Sequence, residues 1–229
     1  MRCMPNNSTA VILMGGEGRR FGSPTPKQFH LLNEKKIYLH TLDAFIDSKL
    51  FQQIILVCHP DWIDLIKSEI PADITIVPGG STRQASSHLG LRACNPYTQF
   101  VMIHDGVRPF VSYEILKRNL EVAFLHQAVD TCISSADTIV HSTDGQMITK
   151  IPPRSQYMRG QTPQTFSYEL IRKAHELTEQ TAATDDCSLV LELGYSIAIV
   201  EGEESNIKIT TELDVQLAEI LLKNISPRL

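Results

Sequence analysis

The 229-residue chain has few of the features that would place it in a special class of protein. Its five cysteines are never spaced as Cys-x-x-Cys, so neither a disulfide framework nor a zinc knuckle is expected. No apolar run approaches the length of a membrane span, and the N-terminus lacks the apolar stretch of a signal peptide. We therefore expect reduced thiols, a cytoplasmic location and no membrane partner.

An excess of positive charge is also missing. The 21 Lys and Arg residues are outnumbered by 26 Asp and Glu residues, which gives a net charge of −5. Without a basic field, binding to a nucleic acid is not expected, and an anion must be held by a local cluster of cations. The eight histidines lack the spacing of metal ligands, so no protein-built metal site is expected.

Short apolar runs alternate with amphipathic stretches along the chain. The apolar runs predict strands at residues 10–14, 54–58, 74–77, 100–104, 129–134 and 196–200. The amphipathic stretches predict helices at 38–47, 61–70, 82–93, 113–126, 168–177 and 185–193, and a last helix opens with a capping box at Thr211. This pattern predicts a single α/β domain, residues 1–229, with a Rossmann-like, mostly parallel sheet and helices on both faces. In the last helix, an apolar stripe is expected to pack in the core: Leu213, Leu217, Ile220 and Leu221.

One segment interrupts the alternation. Two β-prone runs, 137–142 and 146–151, are joined across Thr143-Asp144-Gly145, which is typical of a β-hairpin. An isolated two-stranded hairpin is marginally stable in water. We therefore expect residues 137–160 to form a protruding arm that packs on a second subunit; the alternative is a hairpin that lies on its own domain.

The first predicted strand is followed by Gly15-Gly16-Glu17-Gly18-Arg19-Arg20-Phe21-Gly22 and then by Pro26-Lys27-Gln28-Phe29. Glycines let backbone N–H groups approach an anion, and Arg19, Arg20 and Lys27 add side-chain cations. The Walker A pattern fails because Gly18 precedes an arginine, and the dinucleotide pattern Gly-x-Gly-x-x-Gly ends on Phe21. A phosphate-binding loop is predicted, with a plain turn as the alternative.

Four further segments follow this loop in order. They are Gly79-Gly80-Ser81-Thr82-Arg83 with Ser86, His104-Asp105-Gly106-Val107-Arg108-Pro109-Phe110, Gln161-Thr162-Pro163-Gln164-Thr165-Phe166, and Ser205-Asn206-Ile207-Lys208-Ile209-Thr210-Thr211. With the glycine-rich loop they resemble the family of 2-C-methyl-D-erythritol 4-phosphate cytidylyltransferase and its sister branch, ribitol-5-phosphate cytidylyltransferase. The resemblance implies an enzyme that transfers the cytidylyl group of CTP to a polyol phosphate and releases pyrophosphate. It also implies Mg²⁺ held mainly by the CTP phosphates, and a homodimer joined through the arm.

The resemblance assigns residues to the nucleotide. The implied catalytic cations are Lys27, Lys208 and Arg20. The implied nucleotide-binding residues are Gly15, Gly16, Gly18, Arg19, Gly79, Gly80, Arg83 and Ser86. The local pattern agrees at Lys208, because a lysine at the end of an apolar strand is costly unless it meets an anion. The alternatives are a lysine that reaches solvent at a sheet edge and, for Arg83, a solvated residue in a first helical turn.

The resemblance also assigns residues to the acceptor: Asp105, Arg108, Thr138, Arg154, Thr162 and Thr184. Asp105 follows an apolar strand, so it is expected at the carboxyl edge of the sheet. In the arm, Thr138 and Arg154 would hold the substrate phosphate of the neighbouring subunit. Asp185 and Asp186 either complete the polyol pocket or belong to a helix cap. His104 is expected to be structural, since an ionised phosphate nucleophile needs no proton shuttle.

The identity of the acceptor remains open between two polyol phosphates. Residues 128–142, 151–154 and 160–166 resemble the ribitol branch, whereas Thr184-Asp185-Asp186-Cys187-Ser188-Leu189-Val190 is closer to the methylerythritol branch. We expect methylerythritol 4-phosphate, which would place the enzyme in isoprenoid precursor synthesis, with ribitol 5-phosphate as the alternative. A non-catalytic nucleotide-binding domain is a third possibility, against which the presence of both Lys27 and Lys208 argues.

Overall fold

The computed structural model of the chain describes residues 7–16 and 25–224. Its strands are β1 (Ser8–Met14), β2 (Leu31–Leu32), β3 (Lys35–Lys36), β4 (Gln53–Cys58), β5 (Thr75–Pro78), β6 (Phe100–Asp105), β7 (Ala128–Ser134), β8 (Met158–Ser167) and β9 (Ala198–Glu201). Its α-helices are α1 (Ile37–Ser48), α2 (Ile63–Lys67), α3 (Arg83–Arg92), α4 (Tyr113–His126), α5 (Tyr168–Leu177), α6 (Cys187–Glu192) and α7 (Glu212–Asn224). Short 3₁₀ turns lie at Lys27–Phe29, Pro60–Trp62 and Arg154–Gln156.

Seven strands form one sheet in the order β5-β4-β1-β6-β8-β7-β9. β1 pairs in parallel with β4 and β6, β4 with β5, and β7 with β9, whereas β8 is antiparallel to both β6 and β7. β1 and β4 are nearly continuous apolar runs, as parallel strands covered on both faces require. The predicted α/β fold with a mostly parallel sheet is therefore confirmed.

Helices cover both faces of this sheet, because alternate residues of β1 point to opposite sides. Val11 and Leu13 pack in one core layer with α3, α5 and α6. Ala10, Ile12 and Met14 pack in the other layer with α1 and α4. Since β1, β4, β5 and β6 run parallel, the loops after their carboxyl ends meet at one edge, where open α/β sheets bind their ligands.

The ten-residue strand β8 is the longest element that the sequence pattern does not predict. Its run is largely polar and contains Pro163, which cannot donate a ladder hydrogen bond. Pairing with β6 on one side and β7 on the other overrides this weak local propensity. The predicted helix 61–70 is also shorter than expected, since a 3₁₀ turn at Pro60–Trp62 precedes α2.

The last helix, α7, begins as predicted but presents a different face to the core. The Thr211 hydroxyl accepts the Asp214 N–H at 3.3 Å, and the Asp214 carboxylate accepts the Thr211 N–H at 2.8 Å. The predicted core stripe is wrong at Leu213, Leu217 and Ile220, which are exposed. Ala218 is fully buried instead. Its small side chain lets the helix pack closely against a cluster that contains Leu32, Val107 and Phe110.

The segment expected to be an arm, residues 137–160, has less regular pairing than the sequence predicts. Between the two predicted hairpin strands, the antiparallel pairing consists of one bridge, between His141 and Lys150. In the turn between them, the Asp144 carboxylate accepts the backbone N–H groups of Gln146 and Met147. Four apolar side chains of the segment are 48% to 68% exposed: Val140, Met147, Ile148 and Ile151. The boundaries of the domain and of its dimerisation arm stay predictions.

The described cysteines are free and buried: Cys58, Cys94, Cys132 and Cys187. Burial raises the pKa of Cys58 to about 11 and that of Cys94 to about 12, so these thiols are protonated at neutral pH. Cys3 lies outside the described residues. None of the helices within residues 7–16 and 25–224 is long and apolar enough to cross a membrane.

Candidate active site

Two adjoining compartments open at the carboxyl edge of the sheet. The first has a volume of about 700 Å³, and the second has a volume of about 480 Å³. Arg83, Asp105 and Lys208 line both of them, so these three residues stand at the junction. The junction therefore presents two cations and one carboxylate to both compartments.

The first compartment is bordered by the start of the glycine-rich loop after β1. Gln28 is buried, and its side-chain amide donates hydrogen bonds to the carbonyl oxygens of Met14, at 2.9 Å, and Gly16, at 3.3 Å. These bonds tie the loop to the 3₁₀ turn that also carries Lys27. Gly15, Gly16 and Lys27 consequently line the same compartment, as their predicted roles require.

The opposite wall is formed by Gly79, Gly80 and the first turn of α3. The Gly80 N–H donates to the Ser86 hydroxyl at 3.1 Å, and a Cβ at Gly80 would lie 2.5 Å from the Cβ of Ala85. Only glycine therefore fits this close approach of the loop to the helix. The Thr82 hydroxyl caps α3 by accepting the Ala85 N–H, so Arg83 and Ser86 face the compartment from the positive end of a helix.

Asp105, the last residue of β6, is surrounded by three cations at the junction. Its carboxylate lies 2.9 Å from Lys208 Nζ, 3.4 Å from Arg108 Nε and 3.9 Å from Arg83 Nε. Burial opposes ionisation of this carboxyl, but the charges of Lys208, Arg83 and Arg108 hold its pKa well below the usual range. Asp105 is therefore a fixed negative charge that gathers three positive side chains.

Asp186 holds Arg83 from the other side, a partnership that the sequence pattern left open. Its buried carboxylate lies 2.6 Å from Arg83 Nη1 and also accepts the Ser87 hydroxyl at 2.6 Å. His175 Nε2 lies 2.8 Å from the same carboxylate. Asp185, in contrast, accepts the Ser188 N–H at 2.8 Å at the start of α6, as a capping residue does, and it also lines the second compartment. The two adjacent aspartates thus have different functions.

His104 precedes Asp105 and is fully buried in a chain of hydrogen bonds. Its Nε2 lies 3.2 Å from the Arg108 carbonyl oxygen, so this nitrogen carries the proton, and its Nδ1 lies 3.0 Å from the Thr162 hydroxyl. Thr162 in turn accepts the Asp105 N–H at 3.1 Å. Burial lowers the pKa of His104 to about 4, which keeps the imidazole neutral. The expected structural role of His104 is supported by these contacts.

The second compartment contains four of the six predicted acceptor residues together with side chains that sequence reasoning missed. Asp105, Arg108, Thr162 and Thr184 line it. Asp130, Gln161, Gln164 and Ser188 line it as well. Asp130 and Gln164 come from neighbouring strands, β7 and β8. The sequence marks Asp130 only as a polar residue inside a predicted strand, and Gln164 only as part of the 161–166 motif.

The other two predicted acceptor residues lie apart from this compartment. Thr138 and Arg154 line neither compartment within the described chain, and Arg154 Nη1 donates to the carbonyl oxygen of Ala136 at 2.7 Å. Gly18, Arg19 and Arg20, which belong to the predicted phosphate-binding loop, lie outside the described residues. The described residues contain no group of three or more His, Cys, Asp and Glu side chains that could hold a metal ion.

The model of one protein family matches residues 8–224, nearly the whole chain. Its description is IspD, 2-C-methyl-D-erythritol 4-phosphate cytidylyltransferase. The chain belongs to this family. It is accordingly a nucleotidyltransferase, more narrowly a cytidylyltransferase, as predicted, with CTP and a sugar-alcohol phosphate as the substrates of its class. The non-catalytic alternative is set aside.

Similar proteins carry two different names within the IspD family. The ribitol-5-phosphate cytidylyltransferases of Lactiplantibacillus plantarum and Streptococcus pneumoniae are each 36% identical to the chain. The alignments cover 93% of this chain in both cases, and 97% and 98% of the respective relatives. Among solved structures, 4-diphosphocytidyl-2C-methyl-D-erythritol synthase of Anaerococcus prevotii is 32% identical, with a TM-score of 0.83, and the match covers 95% of this chain and 98% of that one.

The lowered pKa of His104 predicts a pH dependence of the free energy of unfolding. In the unfolded chain the pKa returns to about 6.5, so the unfolded state binds more protons and stability falls as the pH falls from about 6.5 towards about 4. Between pH 7 and pH 5 we expect His104 to account for a loss of about 2 kcal/mol. The loss is measured by urea unfolding of the wild type and of His104→Gln at pH 7 and at pH 5.

The control is His141→Gln, an exposed histidine of the arm, which should keep the wild-type pH dependence. His104→Gln should be less stable than the wild type at pH 7 but should lose less stability on acidification. An equal loss in the wild type and His104→Gln would contradict the assignment of a neutral, buried imidazole.

Proposed function

We propose that the enzyme transfers the cytidylyl group of CTP to ribitol 5-phosphate and releases CDP-ribitol and pyrophosphate. The observation that carries this choice is the 36% identity to two ribitol-5-phosphate cytidylyltransferases over nearly their whole length. Most residues that line the second compartment have charged, amide or hydroxyl side chains, which suits a polyol whose carbons all bear oxygen.

Methylerythritol 4-phosphate, the acceptor expected from the sequence, becomes the competing substrate. The Anaerococcus prevotii synthase, whose name states that reaction, is 32% identical to the chain and shares its fold. The methyl branch of this acceptor needs an apolar contact. Cys187 and Leu191 are the apolar side chains among the residues that line the second compartment. We take the larger number of hydrogen-bonding side chains there as support for ribitol 5-phosphate.

CTP is proposed to bind in the first compartment. Gly79, Gly80 and Ser86 would hold the cytosine and ribose. Gly15, Gly16 and Lys27 would hold the triphosphate, with Gly18, Arg19 and Arg20 completing the loop as the family motif implies. Arg83 and Lys208, which also line the second compartment, would then meet the α-phosphate.

The proposed reaction is a displacement at the α-phosphorus of CTP. An ionised oxygen of the acceptor phosphate forms a new bond to the α-phosphorus, and the bond from that phosphorus to the bridging oxygen of pyrophosphate breaks. Because the nucleophile is already ionised, no general base is needed. The task of the protein is to bring two polyanions together and to stabilise the charge of the transition state, and we assign this task to Lys27, Lys208 and Arg83.

Mg²⁺ is proposed to enter with CTP and to be held mainly by its phosphates and water. The donor set fits this mode, because Asp105 is the one carboxylate that lines the first compartment among the described residues. A single carboxylate oxygen can complement a phosphate-bound Mg²⁺, and the ion would supply further neutralisation of the phosphate charge when bound.

The arm is proposed to act across a homodimer. Its exposed apolar side chains need a covering surface, and Arg154 and Thr138 lie away from the compartments of their own chain. A second subunit would cover the apolar residues and receive the Arg154 guanidinium, whose planar shape suits a phosphate. The acceptor phosphate would then be bound by residues of both subunits.

The acceptor is tested by measuring pyrophosphate release from CTP and Mg²⁺ with each polyol phosphate separately. We expect kcat/KM for ribitol 5-phosphate to exceed that for methylerythritol 4-phosphate by at least tenfold. Turnover of methylerythritol 4-phosphate alone would contradict the proposed acceptor while leaving cytidylyl transfer intact. Mass spectrometry of the CDP-linked product confirms which polyol was used.

Removing either of the two lysines proposed to be catalytic should slow the chemical step. For Lys27→Ala and Lys208→Ala we expect kcat to fall by on the order of a hundredfold or more, because each removes a charge partner of the transition state. Lys223→Ala, an exposed lysine at the end of α7, is the matched control and should keep the wild-type kcat. Wild-type turnover in either Lys27→Ala or Lys208→Ala would overturn the catalytic assignment.

Shared sites predict complementation between two defective variants. Lys208→Ala and Arg154→Ala chains with different tags are co-expressed and the doubly tagged dimer is purified. If the arm crosses, one site of this dimer combines an intact Lys208 with an intact Arg154, and about half of the wild-type activity returns. If the arm serves its own chain, the mixed dimer shows no more activity than the average of the two parents.

A further inference from the structure

Asp130 on β7 is a carboxylate that the mechanism above does not use. It is half-buried and lines the second compartment. None of the cations in the described part of the chain forms an ion pair with it, although Arg108 lines the same compartment. The Arg108 guanidinium is occupied by Asp105, at 3.4 Å, and by the Asn206 carbonyl oxygen, at 2.8 Å.

Gln164 fixes the orientation of this carboxylate. The Gln164 side-chain oxygen accepts the Asp186 backbone N–H at 3.1 Å, so its amide nitrogen must face the other way. That nitrogen donates to Asp130 Oδ1 at 3.1 Å. Because Asp186 also holds Arg83 at the junction, the position of Asp130 is tied to the proposed reaction centre through one buried chain of contacts.

The side-chain donor nearest the second oxygen, Oδ2, is a weak one. The Cys132 thiol lies 3.4 Å from it, and a thiol is a poor hydrogen-bond donor. Across the ladder stands Gly160, at which a Cβ would lie 3.4 Å from Oδ2. A larger side chain there would cover the oxygen, so the glycine leaves it open to the compartment, which Gly160 also lines.

The surroundings of Asp130 favour a ligand that supplies a hydroxyl hydrogen-bond donor to its carboxylate. Burial, with the neighbouring charge of Asp185, raises the pKa of Asp130, although the Gln164 amide opposes the shift. A partly desolvated carboxyl with unused acceptor positions gains most from a donor supplied by a ligand. An apolar group at the same place would supply no such donor to Oδ2.

We propose that Asp130 is a specificity-determining residue, which accepts a hydrogen bond from a hydroxyl of the polyol and so selects a fully hydroxylated acceptor over one with a methyl branch. This inference rests on the proposed function. A site built to bond a hydroxyl rejects an analogue that lacks it, because the buried polar group is then left unpaired. Gln164 and Gly160 are the positioning residues that orient and expose the carboxylate.

The test compares Asp130→Asn and Asp130→Val with the wild type, measuring KM and kcat separately for ribitol 5-phosphate and methylerythritol 4-phosphate, together with KM for CTP. Asp130→Asn keeps the shape of the side chain in case the valine variant does not fold. We expect KM for ribitol 5-phosphate to rise at least tenfold in Asp130→Asn and KM for CTP to change less than twofold. The ratio of kcat/KM for ribitol 5-phosphate to kcat/KM for methylerythritol 4-phosphate should fall at least tenfold in both variants.

The matched control is Glu201→Gln, which makes the same carboxyl-to-amide change at an exposed residue on β9, the strand next to β7. This variant should keep the wild-type KM and kcat for both acceptors. An unchanged acceptor ratio in Asp130→Asn, or an equal loss with both acceptors and with CTP, would overturn the specificity role. If the wild type does not use ribitol 5-phosphate, the proposed function fails before any variant is compared; if it does and the ratio stays constant, only the role of Asp130 fails.

Discussion

The candidate site depends on one buried carboxylate that brings three cations together. Lys208, Arg83 and Arg108 come from distant parts of the chain, and like charges repel unless a counter-charge lies among them. Asp105 supplies that charge at the end of β6, and the group still carries an excess of positive charge. A polyphosphate that enters this junction finds cations already oriented, which reduces the cost of assembling them during the reaction.

The junction also explains why two compartments act as one site. Arg83 opens α3 beside the first compartment and is held by Asp186 at the border of the second. Asp186 is in turn bonded to Gln164, which orients Asp130. The proposed nucleotide pocket and the proposed acceptor pocket are thus connected by buried polar contacts. The reacting phosphates can meet where the two pockets join.

Much of this arrangement is predictable from the sequence. The strand before Asp105 is apolar, and parallel strands place their carboxyl ends at one edge, so Asp105 and Gly79 could be expected to lie together. Asp130 and Gln164 could not, because their contact depends on the pairing of β7 with β8, a polar strand that contains Pro163. The buried face of α7 could not be predicted either, because the tertiary packing buries Ala218 and leaves the more apolar Leu217 exposed.

The most direct test of the account is a crystal structure of the enzyme with its CDP-linked product bound. We predict the cytidine against Gly79 and Ser86, the diphosphate within hydrogen-bond distance of Lys208 and Arg83, and the polyol in the second compartment with a hydroxyl on Asp130. A polyol that lies outside the second compartment, or a diphosphate remote from Lys208, would contradict the central claim that the cations around Asp105 form the reaction centre.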